Sequence, residues 1–309
     1  MMMLTPSLRG MLAPPAVSGV GRYDTIDLMR GVAAIAILFW HYQHFIALGL
    51  AAEGSRTGYP LHLLTLAAVM VLQLVNMRVF GRTLIYPMGG PFEFVRQLFL
   101  TSGWGPHSVF TFNGPVWSVS AEVLVYVFFW LLLPWLLRWG IGLPMAIALT
   151  ARILLPGWPV AECTFYFFTG VTVFCVSQTA SLATAGSLAA TLLLAAIGIC
   201  WSGRIGIGLY CGFVALTLAC GLIDRAGIGG ICGKVPWISE NCYGSYLAHI
   251  PIQLAMILGL AMIGQSRTIA FSPYFLIAYL ALVTVTARLL FLYVEKPART
   301  ALRRQLEAR

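Results

Sequence analysis

The chain has 309 residues, of which 60% are hydrophobic and only 9% charged, and its mean hydropathy is +0.87. No soluble domain carries that much apolar surface, and continuous apolar runs of about 20 residues exclude a membrane barrel, whose strands alternate over about ten. The net charge of +9 gives no reason to expect nucleic acid, because basic residues gather at the two ends, as they do at cytoplasmic termini. The expected fold is therefore all-α: a polytopic helical membrane protein with about nine transmembrane helices and both termini in the cytoplasm.

Residues 1–21 hold Arg9 and several prolines but no compact apolar run, so they read as a disordered cytoplasmic lead and not as a signal peptide. The membrane domain covers 22–298, and 299–309 form a basic cytoplasmic tail. Asp24 and Asp27 precede the first span, 31–50, where negative charge suits a helix N-terminus. A polar break at 52–58 leads to a second span at 60–77. Residues 81–115 are rich in Pro, Gly and aromatic residues and read as a loop lying in the interface or re-entering the protein. The third span, 116–137, carries Glu122. Spans at 141–155 and 160–178 flank PGWP (156–159), and the former is short. Spans at 182–201 and 205–223 follow, the second with Gly208 and Gly212 at close-packing spacing. The Gly-rich connection 224–242 contains GGICGKV, which lacks the spacing and the Ser or Thr of a phosphate loop. The last spans are 243–264 and 272–294. The seven cysteines show no CxxC pair and read as small buried hydrophobes.

Ionisable groups inside these apolar runs are the candidate chemistry. Ten apolar or glycine residues separate Arg30 from His41. Eleven helical steps bring the two onto one face, about 16 Å apart along the axis. Arg30 can snorkel or bind phosphate, and His41 can pack between helices or act as a base. Glu122 is either half of a buried ion pair or a functional carboxylate. Ser245 and His249 share a helix face at i and i+4, but nothing completes a triad. His44 lies three residues after His41 without a third ligand, so no metal is expected.

Four segments together resemble the acyltransferase-3 family of integral membrane acyltransferases. IDLMRG (26–31) running on to His41 is similar to the family's opening and its Arg-x10-His pair. NGPVWSVSAEVLVY (113–126), YGSYLAHIPIQ (243–253) and YVEKPAR (293–299) resemble its later blocks, in the family's order. RTGYPLH (56–62), with Arg56 and His62, resembles a further element. The resemblance implies transfer of an acyl group, commonly acetyl, from acyl-CoA to a hydroxyl of a sugar, glycan or lipid-linked acceptor, at the inner (plasma) membrane. It implies His41 as base or acyl acceptor, with Glu122 beside it, and Arg30 and Arg56 on the cofactor. Asn113, Trp117, Ser118, Ser245, Tyr246 and His249 would then contact the substrates. The family's F-F-x-x-S-G-F span is missing, which leaves nine spans where the family usually has ten. Two other readings stay open. One is a transporter whose Arg, His and Glu residues form a relay; the other is a truncated, inactive relative.

Overall fold

The computed structural model describes residues 24–30, 32–33, 59–105, 111–228, 234 and 236–307. Among these there is no β-strand, and seven helices are long and apolar enough to cross a membrane. The protein is an all-α polytopic membrane protein. Its helices are α1 (Tyr59–Phe80), α2 (Pro91–Leu98), α3 (Val116–Trp139), α4 (Gly142–Leu154), α5 (Pro159–Thr179), α6 (Leu182–Trp201), α7 (Ile205–Arg225), α8 (Pro236–Glu240), α9 (Cys242–Met262), α10 (Pro273–Leu290) and α11 (Lys296–Glu307). Each span predicted after the first has its helix. The first, 31–50, lies outside the described residues apart from 32–33. Helix α4 has 13 residues, about 20 Å, and falls short of a hydrocarbon core of about 30 Å.

Local sequence sets the boundaries. Prolines open α2 and α10 in the first turn, where no N–H is needed. Ser181 caps α6, its Oγ accepting from the Thr184 amide at 3.0 Å. Gly140 ends α3 with φ +57°, a conformation that costs other residues about 1–2 kcal/mol.

The described residues form two compact units. Of these residues the first takes 24–27, 128–150, 165–228 and 234, and the second takes 28–30, 32–33, 59–105, 111–127, 151–164 and 236–307. In the first unit α6 and α7 form a tight hairpin around Val173, Ala185, Ala189 and Leu218. Arg225 donates to the Ser177 and Ala180 carbonyls at 2.6 and 2.7 Å, so a cation closes the C-terminus of α5. The Asp224 carboxylate accepts from the Thr25 and Ile26 amides at 3.0 and 3.3 Å, at the start of the helical residues 24–30. A Cβ on Gly208 would lie 2.3 Å from Cys200 Sγ and 2.9 Å from the Ala196 carbonyl oxygen. Gly208→Leu is therefore expected to push α6 and α7 apart and cost about 1–3 kcal/mol, read as a lower unfolding temperature in detergent. Gly212→Ala should be near neutral, because its Cβ would meet Ala196 Cβ at 3.6 Å.

In the second unit α9 is the central helix: 67% of its apolar stretch is buried, against 44% or less in the other spans. Helix α1 runs parallel to it. Leu61 packs with Tyr243, Tyr246 and Leu247, and further along Leu66 and Val69 pack with Ile250, Leu254 and Ile257. Helix α10 runs antiparallel, with Gly244 against Ala287 at one end and Gln253 donating to Tyr279 at 3.2 Å further along.

Residues 81–115 retrace α1. The Asn76 amide meets the Arg82 carbonyl. Gln73 holds Leu84 through both its amide groups and donates to the Tyr86 carbonyl at 2.9 Å. The segment next meets α1 at His62, eleven residues, or about 16 Å, nearer the start of that helix. The predicted loop is thus packed into the protein: Leu84, Tyr86, Gln97, Leu100, Phe112 and Asn113 are all buried. Non-helical backbone at membrane depth needs such cover. Three of its non-glycine residues, Ile85, Leu100 and Phe112, have φ between 53° and 59°, a strain of about 1–3 kcal/mol each that surrounding contacts must hold. The ring of Tyr86 lies against Gly114, where a Cβ would come within 2.4 Å of it. As a result α1 and α3 start at the same end of the unit.

Candidate functional site

That end is polar inside. The first turns of α1, α3 and α9 meet there, and α10 ends there in a π-helical turn, Phe291–Glu295. Apolar spans rarely bury polar side chains, because each must find a partner. Here His62, Gln97, Asn113, Ser118, Glu122, Ser245, His249 and Glu295 are all buried.

His62 is fully buried on α1, and its Nε2 lies 2.8 Å from the Gln97 carbonyl oxygen. A carbonyl only accepts, so Nε2 carries a proton. Gln97, on α2, donates to the Thr111 carbonyl at 2.9 Å. The Asn113 amide lies 3.5 Å from both Thr65 Oγ1 and the Leu247 carbonyl oxygen, which joins the returning segment to α1 and α9. Tyr246 donates to the Pro115 carbonyl at 2.7 Å, and Ser118 Oγ lies 3.2 Å from the same phenol. Ser118 Oγ donates to the same Pro115 carbonyl at 3.1 Å. These bonds fix the start of α3 against α9. Among the described residues, the side-chain oxygens Gln97 Oε1 and Asn113 Oδ1 are buried without a hydrogen-bond donor.

Ser245 and His249, which share a face of α9, each bond to their own helix backbone. Ser245 Oγ donates to the Cys242 carbonyl at 2.9 Å, and His249 Nδ1 bonds to the Tyr246 carbonyl, each turning to the residue three positions earlier. By the same logic His249 Nδ1 carries a proton. Trp117 is buried, so it is not an interfacial anchor, and its carbonyl packs on Gly103. Glu122 on α3 and Glu295 in the π-helical turn are 6% and 5% exposed, and Tyr243 on α9 is buried at the same end. The π-helical turn buries Phe291 and Glu295 together, which directs the carboxylate inward. Arg30 is exposed at the end of the helical residues 24–30. His41 and Arg56 lie outside the described residues.

The structure thus brings Asn113, Ser118, Tyr246 and His249 to one end of the second unit, along with Trp117, Glu122 and Ser245. Sequence reasoning missed Gln97, Tyr243 and Glu295 as members of this cluster. A signal existed for two of them: Gln97 is an uncharged polar residue within an amphipathic piece, and Glu295 closes an apolar span. Tyr246→Phe is expected to leave the Pro115 carbonyl without its phenol donor. The cost should be about 1–2 kcal/mol, read by thermal unfolding, with the helical content unchanged. Comparison of the chain with protein-family models, with curated proteins and with solved structures gives no match.

Proposed function

We propose that the protein is an integral membrane O-acyltransferase that moves an acyl group, commonly acetyl, from acyl-CoA to a hydroxyl of a sugar, glycan or lipid-linked acceptor. What supports this reading is one convergence. Residues 62, 113–122, 246–249 and 295 come from four segments singled out by the resemblance, and they meet in a single buried cluster. The chemistry also suits the groups. An alcohol needs a base to attack a thioester, and a histidine is the natural one. In this reading His41 is the base or the acyl acceptor, Glu122 orients it, and Arg30 binds the phosphates of the donor. The open acceptor atoms of Gln97 and Asn113 suit a ligand that brings hydroxyl donors.

We place the protein in an inner (plasma) membrane, with its donor site facing the cytoplasm, where acyl-CoA is found.

The test is release of free CoA from acetyl-CoA by the purified protein in detergent, with acetyl-CoA binding followed in parallel. Turnover is expected even to water. Absence of both turnover and binding would overturn the reading. Transport by reconstituted vesicles without acyl chemistry would favour a relay through the buried histidines and carboxylates instead.

A further inference from the structure

The last span runs without interruption from α10 through the π-helical turn into α11, as Pro273–Ala298. Beyond it α11 is amphipathic, KPARTALRRQLE. Tyr293 is 75% exposed at the end of the span, where an aromatic ring belongs at a membrane border. Lys296, Thr300 and Arg304 follow it at helical spacing, so one face turns from aromatic to basic over about 16 Å. Leu292, Tyr293, Lys296, Thr300 and Arg304 line an open groove of about 650 Å³. Thr300 donates to the Lys296 carbonyl at 2.9 Å, and among the described residues neither Lys296 nor Arg304 makes an ion pair.

We propose that this groove binds the phosphate headgroup of an anionic phospholipid, with the acyl chains lying over Leu292 and Tyr293. Two cations about 12 Å apart along a helix face an anion, and the apolar floor continues into the lipid-facing span. A phospholipid supplies both features in that order. Inorganic phosphate would satisfy the cations alone. This inference does not depend on acyl transfer.

The experiment is native mass spectrometry of the full chain in detergent, titrated with phosphatidylglycerol and separately with phosphatidylcholine. Wild type is expected to retain phosphatidylglycerol selectively. The double variant Lys296→Gln, Arg304→Gln should lose about thirtyfold in that affinity, roughly fivefold per cation. Tyr293→Ser should lower it with the charge unchanged. Arg152→Gln, on an exposed residue of α4, should leave it unchanged, and all variants should keep the wild-type unfolding temperature to within a few degrees. Equal retention by wild type and the double variant would overturn the proposal. So would full displacement by millimolar phosphate, or a loss confined to acetyl-CoA binding.

Discussion

Replacing Gly103 by valine is expected to unfold the polar end of the second unit. A Cβ at this position would lie 2.2 Å from the Trp117 carbonyl oxygen and 3.2 Å from the Ala121 amide nitrogen. Both are backbone atoms of α3, so no side chain can rotate away. The turn that holds Gly103 is also tied to α3 by its own bonds. The Gly103 amide donates to Ser120 Oγ and the Trp104 indole to the Ser120 carbonyl, both at 2.9 Å. Valine must break these contacts or displace the first turn of α3, at about 3 kcal/mol or more. The measurement is thermal unfolding in detergent, with loss of acetyl-CoA binding as the second readout. Gly170→Ala sets the control. Nothing lies within 4 Å of its Cβ in mid-helix α5, so alanine should be neutral or stabilise by up to about 1 kcal/mol. Equal unfolding temperatures for Gly103→Val and wild type would show that the turn does not rest on α3.

Replacing His41 by alanine is expected to lower acetyl-CoA turnover by about 10²–10⁴-fold, the usual contribution of a general base. With histidine as the base, wild-type kcat/KM should rise with pH through the ordinary imidazole range, near 6.5. That limb should vanish in the variant. Arg30→Ala should act differently, raising KM for acetyl-CoA with less effect on kcat, because a phosphate contact made equally in both states is uniform binding. His62→Ala and His249→Ala separate the roles further. Both rings are fully buried and bonded to carbonyls, so their loss should reduce stability first. If His41→Ala keeps full turnover while one of these two loses it without unfolding, the base belongs on α1 or α9.

The apolar runs determined the fold class by themselves, because a helix of about 20 apolar residues has one low-energy solution in lipid. The same holds for most helix ends, where Pro91, Pro273, Ser181 and Gly140 act on their own neighbours. Glu122 and His249 were legible as candidates because a titratable group in such a run is costly wherever it points. The direction of a side chain was not legible. At i and i+4 Ser245 and His249 share a face, yet each bonds to its own helix backbone, a choice made by local carbonyl geometry and packing. Residues 81–115 show the larger gap. Their composition signalled irregular backbone, but a path along α1 depends on Gln73, His62 and Thr65, 13, 35 and 48 residues from their partners. Only the tertiary structure decided that Gln97, Asn113, Tyr246 and Glu295 share one end, because hydrogen bonds between segments more than a hundred residues apart leave no periodicity to read.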